Sequence, residues 1–301
     1  MRLLVTGANG QVGWELICSL MPLGEVVGLD RSQCDLSRPE RLPALIRCLK
    51  PDLIVNAAAY TAVDKAEDEE QLATIVNGTA VGVLAEEARV AGALLVHYST
   101  DYVFDGTKET PYQEEHPPHP INAYGRSKLA GEIAIRQVGS AYIILRTSWV
   151  YAARGHNFLR TVLRLAHERD ELRMIADQVG APTWARNIAD ATAHVIRQAI
   201  AERAGTFFTS DLFHLTASGA TSWHGFAAAI LEAAKGDALL PPQQLPKLHP
   251  IATEDYPLPA ARPKNSRLAG DRLSKRFGIV LPDWKEGLAR CLCEIGTCPQ
   301  R

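Results

Sequence analysis

Apolar residues along the first half of the chain fall into two alternating rhythms. Short aliphatic runs occur at Arg2-Leu3-Leu4-Val5, Glu25 to Leu29, Pro51 to Asn56, Ala93 to Tyr98 and Ala141 to Arg146. They are too short for helices and too evenly apolar for strands with one wet face, so they predict strands covered on both sides. Between them the apolar positions return every three or four residues. Trp14, Leu16, Ile17 and Leu20 form one such stripe, and Leu72, Ile75, Val76, Val83, Leu84 and Ala88 form another within a helix expected over Glu67 to Ala91, with Asn77 as an interior hydrogen-bonding residue. Alternating strands and helices predict an α/β fold with a doubly wound parallel sheet. Ligands of such sheets bind beyond the carboxyl ends of the strands.

The first strand runs into Thr6-Gly7-Ala8-Asn9-Gly10-Gln11-Val12-Gly13 and then into a helix. Glycines at 7, 10 and 13, placed between strand and helix, fit a turn whose backbone approaches a pyrophosphate, which makes this a dinucleotide-binding (Rossmann) unit. Gly7, Asn9, Gly10, Gln11, Val12 and Gly13 are its candidate cofactor contacts. Asp30 lies 23 residues after Gly7, at the end of the second strand, near the distance expected for a carboxylate on the adenine-side ribose. That placement favours NAD, whereas the adjacent Arg31 could meet a 2'-phosphate and admit NADP. Cys34 to Ser37 reads as a helix start, with Asp35 either near the adenine or an N-cap, and Leu36 beside it. Ala57, Ala58 and Ala59, after the third strand, are small enough for backbone to lie against a cofactor, or for close helix–strand packing.

Acid–base chemistry is concentrated between Ser99 and Lys128. The fourth strand ends in Ser99-Thr100, a proline-broken polar loop follows, and a helix opens with Tyr124 four residues before Lys128. Positions i and i+4 share a helix face, so phenol and ammonium point the same way. An adjacent positive charge draws a phenol's pKa down towards neutrality. With a hydroxyl at Thr100 to hold a carbonyl oxygen, Thr100, Tyr124 and Lys128 suit proton transfer at a carbonyl or alcohol oxygen. The spacing alone is common on solvated helices; the glycine turn is what gives it weight.

Beyond residue 150 the rhythm loosens into a helix over Asn157 to Glu168, a short strand at Leu172 to Ile175, a helix from Arg186 to about Glu202 and another near Trp223 to Ala234, within a polar, proline-rich stretch. The division expected is a dinucleotide-binding domain at 1–150 and a mainly substrate-binding part at 151–301, interleaved with the first. Net charge is -2, with 47% hydrophobic and 22% charged residues, so nothing suggests a nucleic-acid surface. No signal peptide precedes the first strand and no apolar run approaches the ~20 residues needed to span a bilayer; a soluble, cytoplasmic protein is expected. Cys18, Cys34, Cys48, Cys291, Cys293 and Cys298 are scattered and read as reduced thiols. His116 and His119, beside Glu114 and Glu115, read as an exposed loop rather than a metal site.

Seven segments together resemble the nucleotide-sugar branch of the extended short-chain dehydrogenase/reductases: TGANGQVG at 6–13, NAAAYTAVDKAE at 56–67, STDYVFDG at 99–106, YGRSK at 124–128, RTSWVY at 146–151, DQVGAPT at 177–183 and RPKNSRL at 262–268. They run in order over nearly the whole chain. The resemblance implies NAD(P)H-dependent reduction of the C4 carbonyl of dTDP-4-dehydro-L-rhamnose, with Thr100, Tyr124 and Lys128 as the catalytic set. It implies that Thr61, Val63, Asp101, Tyr102 and Trp149 line the sugar or cofactor face. It also implies a homodimer and, in some members, Mg²⁺ at interface carboxylates, for which Glu15, Asp190 and Glu286 are the candidates here; as residues, they read better as isolated surface acids. Sugar-nucleotide dehydratases on this scaffold resemble Thr-Asp-Glu at the strand end where this chain has Thr100-Asp101-Tyr102, which points to plain reduction with a reversibly bound cofactor. Two other readings are a reductase of another nucleotide-linked 4-keto sugar and a regulatory protein similar to the beta subunit of methionine adenosyltransferase.

Overall fold

The computed structural model describes residues 1–235, 239–240 and 245–297. Six strands, all parallel, form one sheet in the order Asp211–His214, Tyr142–Thr147, Leu94–Thr100, Leu53–Asn56, Arg2–Thr6, Glu25–Leu29. The register sets Thr6 beside Asn56, Asn56 beside His97, and Thr100 beside Thr147. Every strand therefore delivers its last residues to the same edge.

Side chains alternate across a strand, so each run supplies two cores. Leu3, Val5, Leu53, Val55, Leu94 and Val96 face the helices Gln11–Leu20, Ala185–Ala204 and Asp271–Phe277. Leu4, Ile54, Leu95 and Ile144 face Leu42–Leu49, Ala80–Ala91 and Ala123–Val138. A separate apolar core lies between Phe158–Glu168, Trp223–Ala234 and Trp284–Thr297, around Leu159, Phe226, Ile230 and Trp284. Helix Ala185–Ala204 and strand Asp211–His214 return from this second half to complete the sheet layer.

Two local expectations are corrected, and one strand has no signal in the pattern. The helix expected over Glu67 to Ala91 is broken into Lys65–Asp68, Glu70–Thr74, a π turn at Ile75–Thr79 and Ala80–Ala91. The π turn releases Asn77 to clasp another segment: Oδ1 accepts from the Tyr60 amide at 2.8 Å, and Nδ2 donates to the Tyr60 carbonyl at 3.0 Å and to Ser127 Oγ at 2.9 Å. Cys34 to Ser37 does not start a helix. Asp35 Oδ1 instead accepts from the amide and hydroxyl of Ser37, and the helix begins at Leu42. The strand Asp211–His214 is the one without a signal, because four residues are too few to carry a period.

Among the described residues no helix is long and apolar enough to cross a membrane. Cys18, Cys34, Cys48 and Cys291 are free thiols; Cys298 lies outside the described residues.

Candidate active site

The glycine turn shows why side chains are excluded from it. Gly7 has φ +70°, and a Cβ there would stand 2.7 Å from the Ala58 amide nitrogen; on Gly13 it would stand 2.0 Å from the Gly7 carbonyl oxygen. The turn, the first helix and the Ala57–Ala59 segment thus close on one another, backbone to backbone. Gly10 caps the helix Gln11–Leu20 with no side-chain acceptor, leaving its first amides open to an anion. These features fit a dinucleotide pyrophosphate. Gly13→Ala should lower affinity for NAD(P)H and destabilise the fold by about 1–3 kcal/mol through overpacking, read by cofactor titration and denaturant unfolding; unaltered binding and stability would contradict the close approach.

At the adenine end, Asp30 is already engaged. Its carboxylate accepts from the Ser32 hydroxyl and amide at 2.6 and 2.8 Å and from Asn9 Nδ2 at 2.9 Å. Those bonds, the Ser32 hydroxyl foremost, hold it below the usual carboxylate range. Arg31 is exposed beside it and reaches Asp35 at 3.6 Å. Leu36 is buried in the core with Cys34, Leu42 and Ile46.

At the centre of the edge, Thr100, Asp101, Tyr102 and Tyr124 come together. Asn122 caps the helix Ala123–Val138, its Oδ1 accepting from the Gly125 amide at 2.7 Å, while its Nδ2 donates to the Ala261 carbonyl. A Cβ on Gly125 would lie 2.2 Å from the Tyr102 carbonyl, so only glycine lets this helix start so close to the turn after the fourth strand. Tyr124 consequently meets Tyr102 edge to face at 5.6 Å, with the Thr100 hydroxyl beside its own.

Electrostatics at Tyr124 correct one expectation. Lys128 does not bring the phenol down: burial of the hydroxyl and the Asp101 charge push it above its usual range, against a smaller pull from Thr100. The phenol therefore keeps its proton, the state a general acid would need. Asp101 is itself pushed up to about 6 by burial, opposed by the Ser266 and Thr100 hydroxyls. Thr100 Oγ1 donates to Asp101 Oδ1 at 2.9 Å. Lys128 is buried, its Nζ donating to the Tyr98 carbonyl at 2.6 Å, and burial lowers it to about 8 while Glu132 resists.

Three buried polar atoms at this edge have no protein partner, Ser99 Oγ, Asp101 Oδ2 and Thr147 Oγ1. Buried polar atoms without a protein partner call for a polar ligand, a water or a shift of the surroundings to satisfy them. Trp149, two residues past Thr147, adopts φ +48° and stacks on Trp223 with ring centroids 3.5 Å apart. Thr61 is exposed and Val63 half-buried, on the segment that leads from Tyr60 to Asp64. Asp64 is held by Arg262, whose two terminal nitrogens donate at 2.9 and 2.8 Å and whose guanidinium also neighbours Tyr102. Arg262 and Ser266, from the segment 262–268, were not singled out as site residues. They lie in the segment RPKNSRL, but only the fold carries them back to Tyr102 and Asp101.

The carboxylates considered for Mg²⁺ are arranged otherwise. Glu15 is buried rather than an isolated surface acid, and Arg186 bridges it and Asp190 at 3.2 and 3.4 Å. Ser19 also donates to Asp190, and it is Glu294, not Glu286, that burial and then the Glu15 charge push above the usual carboxylate range. No group of three or more His, Cys, Asp or Glu among the described residues is set to hold a metal.

Residues 1–296 match the family described as RmlD substrate binding domain. The chain belongs to this family. It is 55% identical over 295 residues to a dTDP-4-dehydrorhamnose reductase of Burkholderia thailandensis, covering 98% of this chain and 99% of the relative. It is 46% identical over 301 residues to the enzyme of that name from Escherichia coli, covering 99% of each. A crystal structure of dTDP-4-dehydrorhamnose reductase from Bacillus anthracis in complex with NADP superposes with a TM-score of 0.86 at 35% identity, over 97% of this chain and 99% of that one. As a family member the chain shares its fold from end to end, second core included.

Proposed function

We propose that the protein catalyses the NAD(P)H-dependent reduction of the C4 carbonyl of dTDP-4-dehydro-L-rhamnose to dTDP-L-rhamnose. The observation that carries this reading is end-to-end similarity to reductases of that name, in a chain whose Thr100, Tyr124 and Lys128 stand at the edge where the glycine turn opens. When bound, the reduced nicotinamide supplies the hydride. Thr100 orients the carbonyl oxygen, and Tyr124, kept protonated by burial and by Asp101, gives its proton to that oxygen. Lys128 holds the nicotinamide ribose and places a positive charge near the phenolate that proton transfer leaves behind. Asp101, Tyr102 and Trp149, with Thr61 and Val63 opposite, form the sugar side, and the second core positions the nucleotide. Both substrates are soluble nucleotides, which suits a cytoplasmic enzyme.

The test is NAD(P)H absorbance with purified protein and enzymatically prepared dTDP-4-dehydro-L-rhamnose. Oxidation that requires the sugar nucleotide is expected; none, from protein that binds NADPH, would move the reading to another 4-keto sugar.

Cofactor choice follows from the charges at the adenine end. The Asp30 carboxylate suits two free ribose hydroxyls and repels a 2'-phosphate, whereas Arg31 attracts one. Asp30→Ala should raise the KM for NADH more than that for NADPH, and Arg31→Ala the reverse, each by about tenfold, the weight of one charge-assisted hydrogen bond. Parallel changes in both KM values would remove these residues as determinants.

A further inference from the structure

Beneath the site a line of buried polar side chains crosses three strands. Thr6, Asn56 and His97 are register neighbours on one face of the sheet, all fully buried. Thr6 Oγ1 lies 2.6 Å from Asn56 Oδ1, Asn56 Nδ2 lies 3.0 Å from His97 Nδ1, and His97 Nε2 lies 3.3 Å from Lys128 Nζ. The line begins one residue before Gly7 and ends on the ammonium assigned to the nicotinamide ribose. We propose that His97, braced by Asn56 and Thr6, is a positioning residue for Lys128, holding its amine in place and setting how readily it keeps its proton. This rests on the role given to Lys128 above.

Proton accounting supports the assignment. Burial and the Lys128 charge hold the His97 imidazole well below its usual range, so it is neutral, with one donating and one accepting nitrogen. With Asn56 Oδ1 accepting from Thr6, Asn56 Nδ2 donates to Nδ1, and the Nε2 hydrogen faces Lys128; that polarity matches a neutral amine. A half-turn of the carboxamide and the other tautomer reverse every donor, and Nε2 then accepts from an ammonium. The line thus offers a satisfied arrangement for each state of Lys128, which a histidine that only filled the core would not need.

The titratable and charged groups around Lys128 are Tyr124 and Glu132 on its own helix, His97 on the fourth strand, Asp101 in the turn beyond it, and Arg146 on the fifth strand, bound to Glu132. Of these, His97 is the one in hydrogen-bond contact with Nζ.

Reduction needs the ammonium, so kcat should fall as pH rises through about 8, the value to which burial brings Lys128. His97→Leu removes the acceptor while leaving the ammonium buried; its alkaline limb should move down by about one pH unit, with kcat near neutrality reduced about tenfold, the weight of one hydrogen bond to a charge. His97→Gln, which restores an acceptor, should return the limb most of the way, and Thr6→Val, at the far end of the line, should shift it in the same direction by less. Lower activity in His97→Leu with an unmoved limb would make His97 a packing residue and overturn the proposal. If His97→Leu does not fold, an unmoved limb in Thr6→Val would do the same. Undiminished turnover in Lys128→Ala would instead overturn the role of Lys128 itself, so the two failures are distinguishable.

Discussion

Tyr124→Phe should lower turnover by roughly 10²- to 10⁴-fold, the contribution of a positioned general acid, which is roughly 3 to 5 kcal/mol of barrier. The substitution removes a single hydroxyl. The ring that meets Tyr102 edge to face stays, as does the helix start fixed by Asn122 and Gly125. NADPH affinity should therefore remain within about twofold, because the loss is confined to an interaction made in the transition state. Stopped-flow turnover and cofactor titration on one preparation check both halves. Turnover near the parent value would mean that Tyr124 is not the donor; a matching loss of cofactor affinity would mean that the hydroxyl serves binding instead.

The pH behaviour of the site follows from the same surroundings. A phenol drawn down towards neutrality would serve equally as base and acid. Here burial and Asp101 lift it, so the hydroxyl holds its proton across the physiological range. In the proposed mechanism the alkaline limb of reduction should then belong to Lys128 rather than to Tyr124.

Much of this arrangement is legible along the chain because it rests on local rules. Five aliphatic runs mark five of the six strands, since strands covered on both faces need no polar alternation. Gly7 and Gly13 are visible because Gly7, at φ +70°, is closed against Ala58 and a Cβ on Gly13 would meet the Gly7 carbonyl. Tyr124 and Lys128 are visible because helical spacing puts them on one face. What is not legible depends on register and return. His97 sits in the middle of an apolar run and looks like part of it; its alignment with Asn56 and Thr6 exists only once three strands are paired. Arg262 and Ser266 reach the site by tertiary folding from more than 130 positions beyond Tyr124. The π turn at Asn77 leaves the hydrophobic stripe almost unchanged, so periodicity alone predicts an unbroken helix.

Glu132→Ala should destabilise the fold by about 3–5 kcal/mol, the cost of leaving a buried charge without its partner. Tyr124, Lys128 and Glu132 stand at successive i+4 positions on one helix, so the catalytic face continues into the protein as a carboxylate. Glu132 accepts a two-pronged bond from Arg146 on the fifth strand, at 2.8 and 2.6 Å, with both side chains almost wholly buried. The Arg146 guanidinium also lies over the Phe104 ring at 5.0 Å, leaving one nitrogen, Nη1, without a partner. Such a pair has paid its desolvation in full and gains little net stability, yet removing either member strands the other. The paired replacement Glu132→Leu with Arg146→Met should therefore unfold close to the parent in urea, while Glu132→Ala alone unfolds much earlier. Folded double variant should nonetheless differ in activity: without the Glu132 charge that helps Lys128 keep its proton, the alkaline limb of kcat moves to lower pH. Equal stability of Glu132→Ala and the parent would show that the pair is solvated in solution, and a double variant with an unmoved limb would show that Glu132 braces the helix without reaching Lys128.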